Sequence, residues 1–190
     1  ENYWNSNEFA YYNPAEKSRL IAAIKAEKGG NKETISYNFD IQPYPYQQEI
    51  LDKLQAERYV RNHWRNLVVA ATGTGKTVIS AIDYRNYVYK NRHKPCRLLF
   101  IAHREEILKQ SLACFRMVLR DPNFGELFVG NYTPNSLDHL FMSVQTFNSR
   151  EFENVTTPDF YDYIIVDEFH HAAAPTYQKL LEYYKPEILL

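Results

Sequence analysis

Only two cysteines occur in the 190 residues, Cys96 and Cys114, and they lack the paired spacing of a metal site or a disulfide framework. Both are read as reduced, structural thiols. No apolar run approaches the ~20 residues needed to span a bilayer, and the start, ENYWNSNEF, has neither the basic region nor the apolar core of a secretion signal. These absences predict a soluble, cytoplasmic chain with no membrane partner. Charge of one sign is missing too: 22 lysines and arginines against 23 acidic residues leave a formal net charge of -1. No whole-molecule field draws polyanions, so any contact with phosphates has to come from a local basic track. Internal repeats and low-complexity tracts are also absent. What is abundant is aromatic, with 16 Tyr and 11 Phe, and a hydrophobic share of 45% excludes a largely disordered chain. The length suits one core with an appended segment. The final PEILL reads as the opening of a strand, so the sequence is expected to be a piece of a longer one.

Helix signals are strong from Asn13 to Lys28: Asn13 as N-cap, Pro14 in the first helical position, Glu16 completing a capping box and Gly29-Gly30 at the end. Residues 1–38 are read as an N-terminal extension with this one amphipathic helix, joined flexibly through Gly29 to Glu33. Residues 39–190 form the main domain. Pro43 and Pro45 keep the backbone extended before a helix from Gln47 to about Tyr59. From Asn66 onward short apolar runs alternate with amphipathic segments, which predicts an α/β fold with a mostly parallel sheet sandwiched by helices. The predicted strands are Leu67–Ala70, Arg97–Ala102, Glu126–Val129, Leu140–Val144 and Tyr163–Val166. Helices are predicted to start near Gly75, Arg104 and Ala172, with a looser one after Phe147.

The strongest chemical signal is Ala70-Ala71-Thr72-Gly73-Thr74-Gly75-Lys76-Thr77, a Walker A spacing with Ala in place of the usual first Gly, set between a strand and a helix. Glycines let the backbone wrap so that N–H groups from Thr72 to Thr77 point at phosphate oxygens, and the helix adds its positive end. Lys76 supplies a point charge for the β- and γ-phosphates, and Thr77 offers a hydroxyl to Mg²⁺. The expected ligand is a nucleotide, ATP foremost. A second strand, Tyr163–Val166, ends in Asp167-Glu168, and parallel strands deliver their C-terminal ends to one edge, which places Asp167 beside the phosphate loop. Asp167 suits Mg²⁺ held through water, and Glu168 suits a general base on the attacking water. A transferase acting on small molecules needs no such glutamate, so the pair favours hydrolysis.

Asp167-Glu168-Phe169-His170 is a DExH box, and together with AATGTGKT it resembles the superfamily 2 helicases and translocases, whose first motor domain is a RecA-like P-loop NTPase fold. Ile101-Ala102-His103-Arg104-Glu105-Glu106-Ile107-Leu108-Lys109-Gln110 resembles motif Ia of the branch containing type I and type III restriction motor subunits and related DNA repair helicases. Ser143-Val144-Gln145-Thr146-Phe147 resembles the motif that follows the fourth strand there. The resemblance covers roughly residues 40 to 190. It implies that Pro45-Tyr46-Gln47 reads adenine through the Gln47 amide, with Tyr44 standing where the branch often carries Arg. The alternative for Gln47 is a surface helix residue.

The resemblance also implies that Arg104 and Thr146 hold a nucleic-acid backbone, DNA favoured over RNA, and that His170 couples the nucleotide to a partner domain. For Arg104 the plain alternative is a surface ion pair with Glu105 or Glu106. His171 reads as helix-start chemistry, since adjacent histidines lack the spacing of a zinc helix. Lys90-Asn91-Arg92-His93-Lys94 reads as a solvated loop on the opposite edge. Family members carry an arginine finger in a second RecA-like domain, so slow hydrolysis is expected of these residues alone. Trp4, Phe9, Tyr11 and Tyr12 suggest an upstream module, a nuclease in a restriction-like parent. Two functions share all these motifs: a motor that moves on nucleic acid, and a nucleotide-dependent clamp that does not.

Overall fold

The computed structural model describes residues 41–71, 73–168 and 175–190, the last without the side chains of Pro175 and Thr176. The predicted helix Asn13–Lys28, Thr72, His170 and His171 lie outside the described residues. In chain order the elements are helix α1 (Pro45–Tyr59), helix α2 (Lys76–Lys90), strand β1 (Leu98–Ala102), helix α3 (Glu105–Leu119), strand β2 (Glu126–Phe128), strand β3 (His139–Ser143), helix α4 (Val144–Ser149), a 3₁₀ turn at Phe152–Asn154, strand β4 (Tyr163–Val166), helix α5 (Pro175–Tyr183) and strand β5 (Ile188–Leu189). The strands form one parallel sheet in the order β2-β3-β1-β4-β5. The α/β expectation therefore holds.

Alternation along β1 shows how the layers form. Leu98, Phe100 and Ala102 face one apolar cluster, with α2 and α3, whereas Leu99 and Ile101 face another, with α4 and α5. A strand covered on both faces has to be apolar at every position, and all five residues of β1 are buried. Register sets Phe100 beside Phe141 on β3 and Ile165 on β4, and the Phe100 and Phe141 rings stack at 5.2 Å. Phe115 of α3 meets both edge-on. Part of the aromatic excess thus fills the core, while Tyr44, Tyr46, Tyr59, Tyr89 and Tyr132 are exposed.

Fully buried tyrosines need partners for their hydroxyls, and most have them. Tyr84 donates to Cys96 O at 2.6 Å, Tyr161 to Leu137 O at 2.9 Å, and Tyr184 lies 2.6 Å from the Thr156 hydroxyl. Tyr177, in the first turn of α5, is 1% exposed and its hydroxyl has no partner among the described residues.

A buried charge network ties three elements. Arg58 at the end of α1 donates to both carboxylate oxygens of Asp83 in α2, at 2.9 and 2.7 Å, and Tyr163 at the start of β4 donates to the same carboxylate. Arg58 Nε also reaches Asn66 Oδ1 at 2.8 Å. Burial pulls the Arg58 guanidinium down, but the bonds to Asp83 outweigh it and hold the group above its usual value. Burial also drives the Tyr163 phenol well up, so it stays neutral.

Two local expectations are corrected. Leu67–Ala70 is not a strand of the sheet: only Arg65 bridges Leu189, in parallel, and Leu67 and Val69 are exposed. Among the described residues no strand pairs with this run. The looser helix starts before Phe147, at Val144, because Ser143 caps it directly off β3 by accepting from Thr146 N at 3.1 Å. The other strands and helices lie within a few residues of expectation. Both cysteines are free, and burial pushes the Cys114 thiol up to about 11.

Candidate functional site

Arg104, Thr146 and Asp167, singled out by sequence, follow strands that end at one sheet edge. Every strand runs parallel, so Ala102, Ser143 and Val166 all end on the same side, followed by Arg104, Thr146 and Asp167. Because Arg65 also pairs in parallel with Leu189, the phosphate loop emerges on that side too. Strand β5 lies between the loop and β4, which sets the loop roughly 10 Å from Asp167 at about 4.8 Å per strand. The two are one strand apart rather than adjacent.

Within the loop, Gly73 at φ +83° and Gly75 at φ +76° supply the left-handed turns that reverse the chain into α2. Ala71 O gathers the loop, accepting from Thr74 N at 3.3 Å and the Thr74 hydroxyl at 2.7 Å. Lys76 folds back to donate to Ala70 O at 2.9 Å and Ala71 O at 3.3 Å. Thr77 follows in the first turn of α2, whose leading N–H groups have no intrahelical acceptor.

Gln47 is not the surface residue of the plain alternative: it is 3% exposed. Its Nε2 donates to Thr74 O at 3.0 Å and its Oε1 accepts from Tyr44 N at 3.0 Å, so one amide caps α1 and pins the phosphate loop. Tyr46 adds a second tie, its hydroxyl donating to Thr74 O at 3.1 Å. Exposed Tyr44 stacks on Tyr46 with rings 7° from parallel.

Gly75 closes this contact, since an added Cβ would sit 2.6 Å from Gln47 Nε2. Gly75→Ala therefore meets both a steric clash and left-handed strain. It is expected to lower the melting temperature by roughly 3–6 °C and to weaken ATP binding at least about tenfold, as the loop loses its setting. Thermal denaturation and nucleotide titration check this.

After β4, Asp167 N donates to Ile101 O at 2.8 Å, which extends the β1–β4 ladder by one bond, and Asp167 Oδ1 accepts from Glu168 N at 2.9 Å. Glu168 itself is held at φ +56°, a costly setting for a residue with a Cβ. Both carboxylates are half-buried.

Further along the edge, a cleft of about 440 Å³ opens where β1, β2 and β3 end, lined among others by His103, Gly130, Gln145, Thr146 and Arg150. Ser143 Oγ holds the Thr146 hydroxyl at 2.8 Å, and Gln145 Nε2 lies 2.7 Å from His103 Nδ1, joining the segments after β1 and β3. Arg104 is exposed and has no ion-pair partner among the described residues; Glu105 pairs instead with Lys109 at 2.6 Å. The sequence reading missed Arg150, exposed at the end of α4, and the His103–Gln145 contact, although Ser143 three residues before Thr146 carried the N-cap signal. The basic run near Lys90 is consumed structurally: Lys90 donates to Gln55, Arg92 lies over the Tyr89 ring, and Lys94 pairs with Asp162 and Glu187. No cluster of potential metal ligands built from His, Cys, Asp and Glu occurs among the described residues.

Comparison with known proteins places the chain in a family. Residues 40–190 match the family described as type III restriction enzyme, res subunit. The chain is 29% identical over 158 residues to the putative mitochondrial ATP-dependent helicase irc3 of Schizosaccharomyces pombe, covering 83% of this chain and 25% of that protein. It is 30% identical over 146 residues to the putative ATP-dependent helicase IRC3 of Saccharomyces cerevisiae, covering 74% and 20%. The chain thus spans a quarter or less of the length of these relatives. Among solved structures it is similar to a nuclease-deletion mutant of the type ISP restriction-modification enzyme LlaGI in complex with a DNA substrate mimic, with TM-score 0.57, 19% identity and coverage of 78% and 17%. It is similar also to a variant of Saccharomyces cerevisiae Dbp5 bound to RNA and ADP with beryllium fluoride, with TM-score 0.58, 12% identity and coverage of 74% and 39%. The chain belongs to the family of the type III restriction enzyme res subunit, and its parallel sheet with helices on both faces has the RecA-like fold of superfamily 2 helicase domains.

Proposed function

We propose that residues 39–190 bind and hydrolyse ATP to drive movement along nucleic acid, DNA in preference to RNA, in a restriction- or repair-type motor, with residues 1–38 as an extension. One observation carries the reading: a single sheet edge bears the phosphate loop, the Asp167-Glu168 pair and the polar cleft at Thr146. The Thr77 hydroxyl and the Asp167 carboxylate are oxygen donors of the kind Mg²⁺ takes, and they would hold it partly through water. Bound there, Mg²⁺ would neutralise charge developing on the phosphates. Lys76 exchanges its bonds to Ala70 and Ala71 for phosphate oxygens, and Glu168 takes the proton of the attacking water. Gln47 keeps a free amide hydrogen and a free lone pair after its contacts to Thr74 and Tyr44, which is the pair of groups an adenine edge needs. His170 is assigned to coupling with a second RecA-like domain, and an upstream nuclease module fits a restriction-type parent. The use of cysteine fits a cytoplasmic setting, and among the described residues no helix is long and apolar enough to cross a membrane.

Backbone contacts position a strand without reading it, so Arg104 and the start of α4 should bind nucleic acid with little regard to sequence. Fluorescence anisotropy with single-stranded DNA and RNA of matched sequence tests this. Arg104→Ala is expected to weaken binding evenly across sequences and to reduce the slope of log K against log salt by about 0.7 for the lost phosphate contact. Absence of binding to either polymer, or a slope unchanged in Arg104→Ala, would count against the nucleic-acid reading.

A further inference from the structure

Of the five largest fully buried tyrosines, four have partnered hydroxyls, and Tyr177 stands apart. A buried hydroxyl without a bond has lost its water and gained nothing in return, a cost that folded proteins seldom carry without cause. Removing one oxygen would remove that cost, since phenylalanine fits the same ring-shaped space. The position is telling. Tyr177 packs in the apolar cluster of Ile101, Val144 and Val166, which brings it under the ends of β1 and β4 where Asp167 and Glu168 emerge. Burial pushes the Tyr177 phenol up, and the charges of Glu168 and then Asp167 push it the same way, so the ring lies within the field of both carboxylates. A second cost sits beside the first: Glu168 is held in the left-handed region, at φ +56°.

We infer that Tyr177 is a positioning residue of the hydrolytic site, whose hydroxyl donates to the Glu168 carboxylate when the turn after β4 leaves its left-handed setting. The movement answers both costs at once. Glu168 regains an ordinary backbone conformation, and the orphaned hydroxyl gains a charge-assisted acceptor. The bond would fix the second carboxylate oxygen while the first faces the attacking water, which is how a general base is held in line. Tyr177 itself touches neither nucleotide nor water. The inference rests on the hydrolytic reading proposed above.

Tyr177→Phe deletes only the oxygen, and Tyr184→Phe makes the same deletion in the same apolar cluster at a hydroxyl that is partnered with Thr156. Three quantities are read on the 190-residue chain: melting temperature, MgATP affinity, and single-turnover hydrolysis of labelled ATP with protein in excess, followed over hours with Glu168→Gln as the floor. Tyr177→Phe is expected to melt at or above the parent temperature, to bind MgATP unchanged, and to hydrolyse about tenfold more slowly. Tyr184→Phe is expected to melt lower and to hydrolyse at the parent rate. Parent-like hydrolysis by Tyr177→Phe, or an equal slowing in Tyr184→Phe, overturns the positioning role. Hydrolysis by the parent no faster than Glu168→Gln overturns the hydrolytic reading beneath it.

Discussion

Asp83→Ala is expected to destabilise the domain by about 3–5 kcal/mol, the cost of leaving a buried charge without its counter-ion. The Arg58 and Asp83 side chains are 2% and 0% exposed, so neither can turn to water when its partner is removed. For a chain of this size the loss corresponds to a fall of roughly 10 °C in melting temperature. The size of the effect follows from what the carboxylate holds. It accepts two bonds from Arg58 and one from Tyr163, so its removal loosens α1, α2 and β4 together. The paired change Asp83→Leu with Arg58→Met removes both charges and is expected to recover most of the loss, because apolar groups of similar volume replace buried ion pairs at little net cost. Thermal denaturation of the single and double variants separates an unpaired charge from simple loss of packing. An exposed surface pair such as Lys53–Glu49 gives the contrast: truncating it should leave the melting curve almost unchanged, because both charges stay in water.

The second large effect is on binding. Lys76→Ala is expected to weaken MgATP binding by about a hundredfold or more, since a cation placed against the β- and γ-phosphates in a partly dry loop makes charge-assisted bonds that no other described side chain of the loop can replace. Stability should move far less. Lys76 is bonded only to carbonyls at the start of its own loop, half-buried Ala70 O and exposed Ala71 O, and those oxygens can turn to water when the ammonium is gone. Separation of the two effects distinguishes the variant from Asp83→Ala, which costs stability first. Calorimetric titration of both variants with MgATP, beside their melting curves, checks the contrast.

Much of the architecture was legible because local pattern and tertiary environment agree. YIIV is apolar at every position because β4 is covered on both faces, and the strand occupies Tyr163–Val166 as expected. Gly73 and Gly75 were readable because few other residues take their backbone settings. Leu67–Ala70 misled because strand propensity needs a partner, and among the described residues the run has none beyond the bridge of Arg65 to Leu189. The motif at Gln47 led to the expectation of a nucleotide contact, yet its contact across 27 residues to Thr74 O was beyond any local signal. The same holds for the bond of Arg58 to Asp83, 25 residues away. Single polar residues in amphipathic helices look alike in sequence, and only the packing of α1 on α2 shows which of them are buried. Tyr177 was invisible for a related reason: nothing in sequence tells a partnered buried hydroxyl from an orphaned one.

Gly73 to Thr77, backed by Gln47 and set one strand from Asp167 and Glu168, are proposed to form a nucleotide site. Isothermal titration of the 190-residue chain with MgATP tests it most directly. One saturable site, lost in Lys76→Ala, is the predicted result; heats of dilution alone from the unaltered, folded chain would contradict the account.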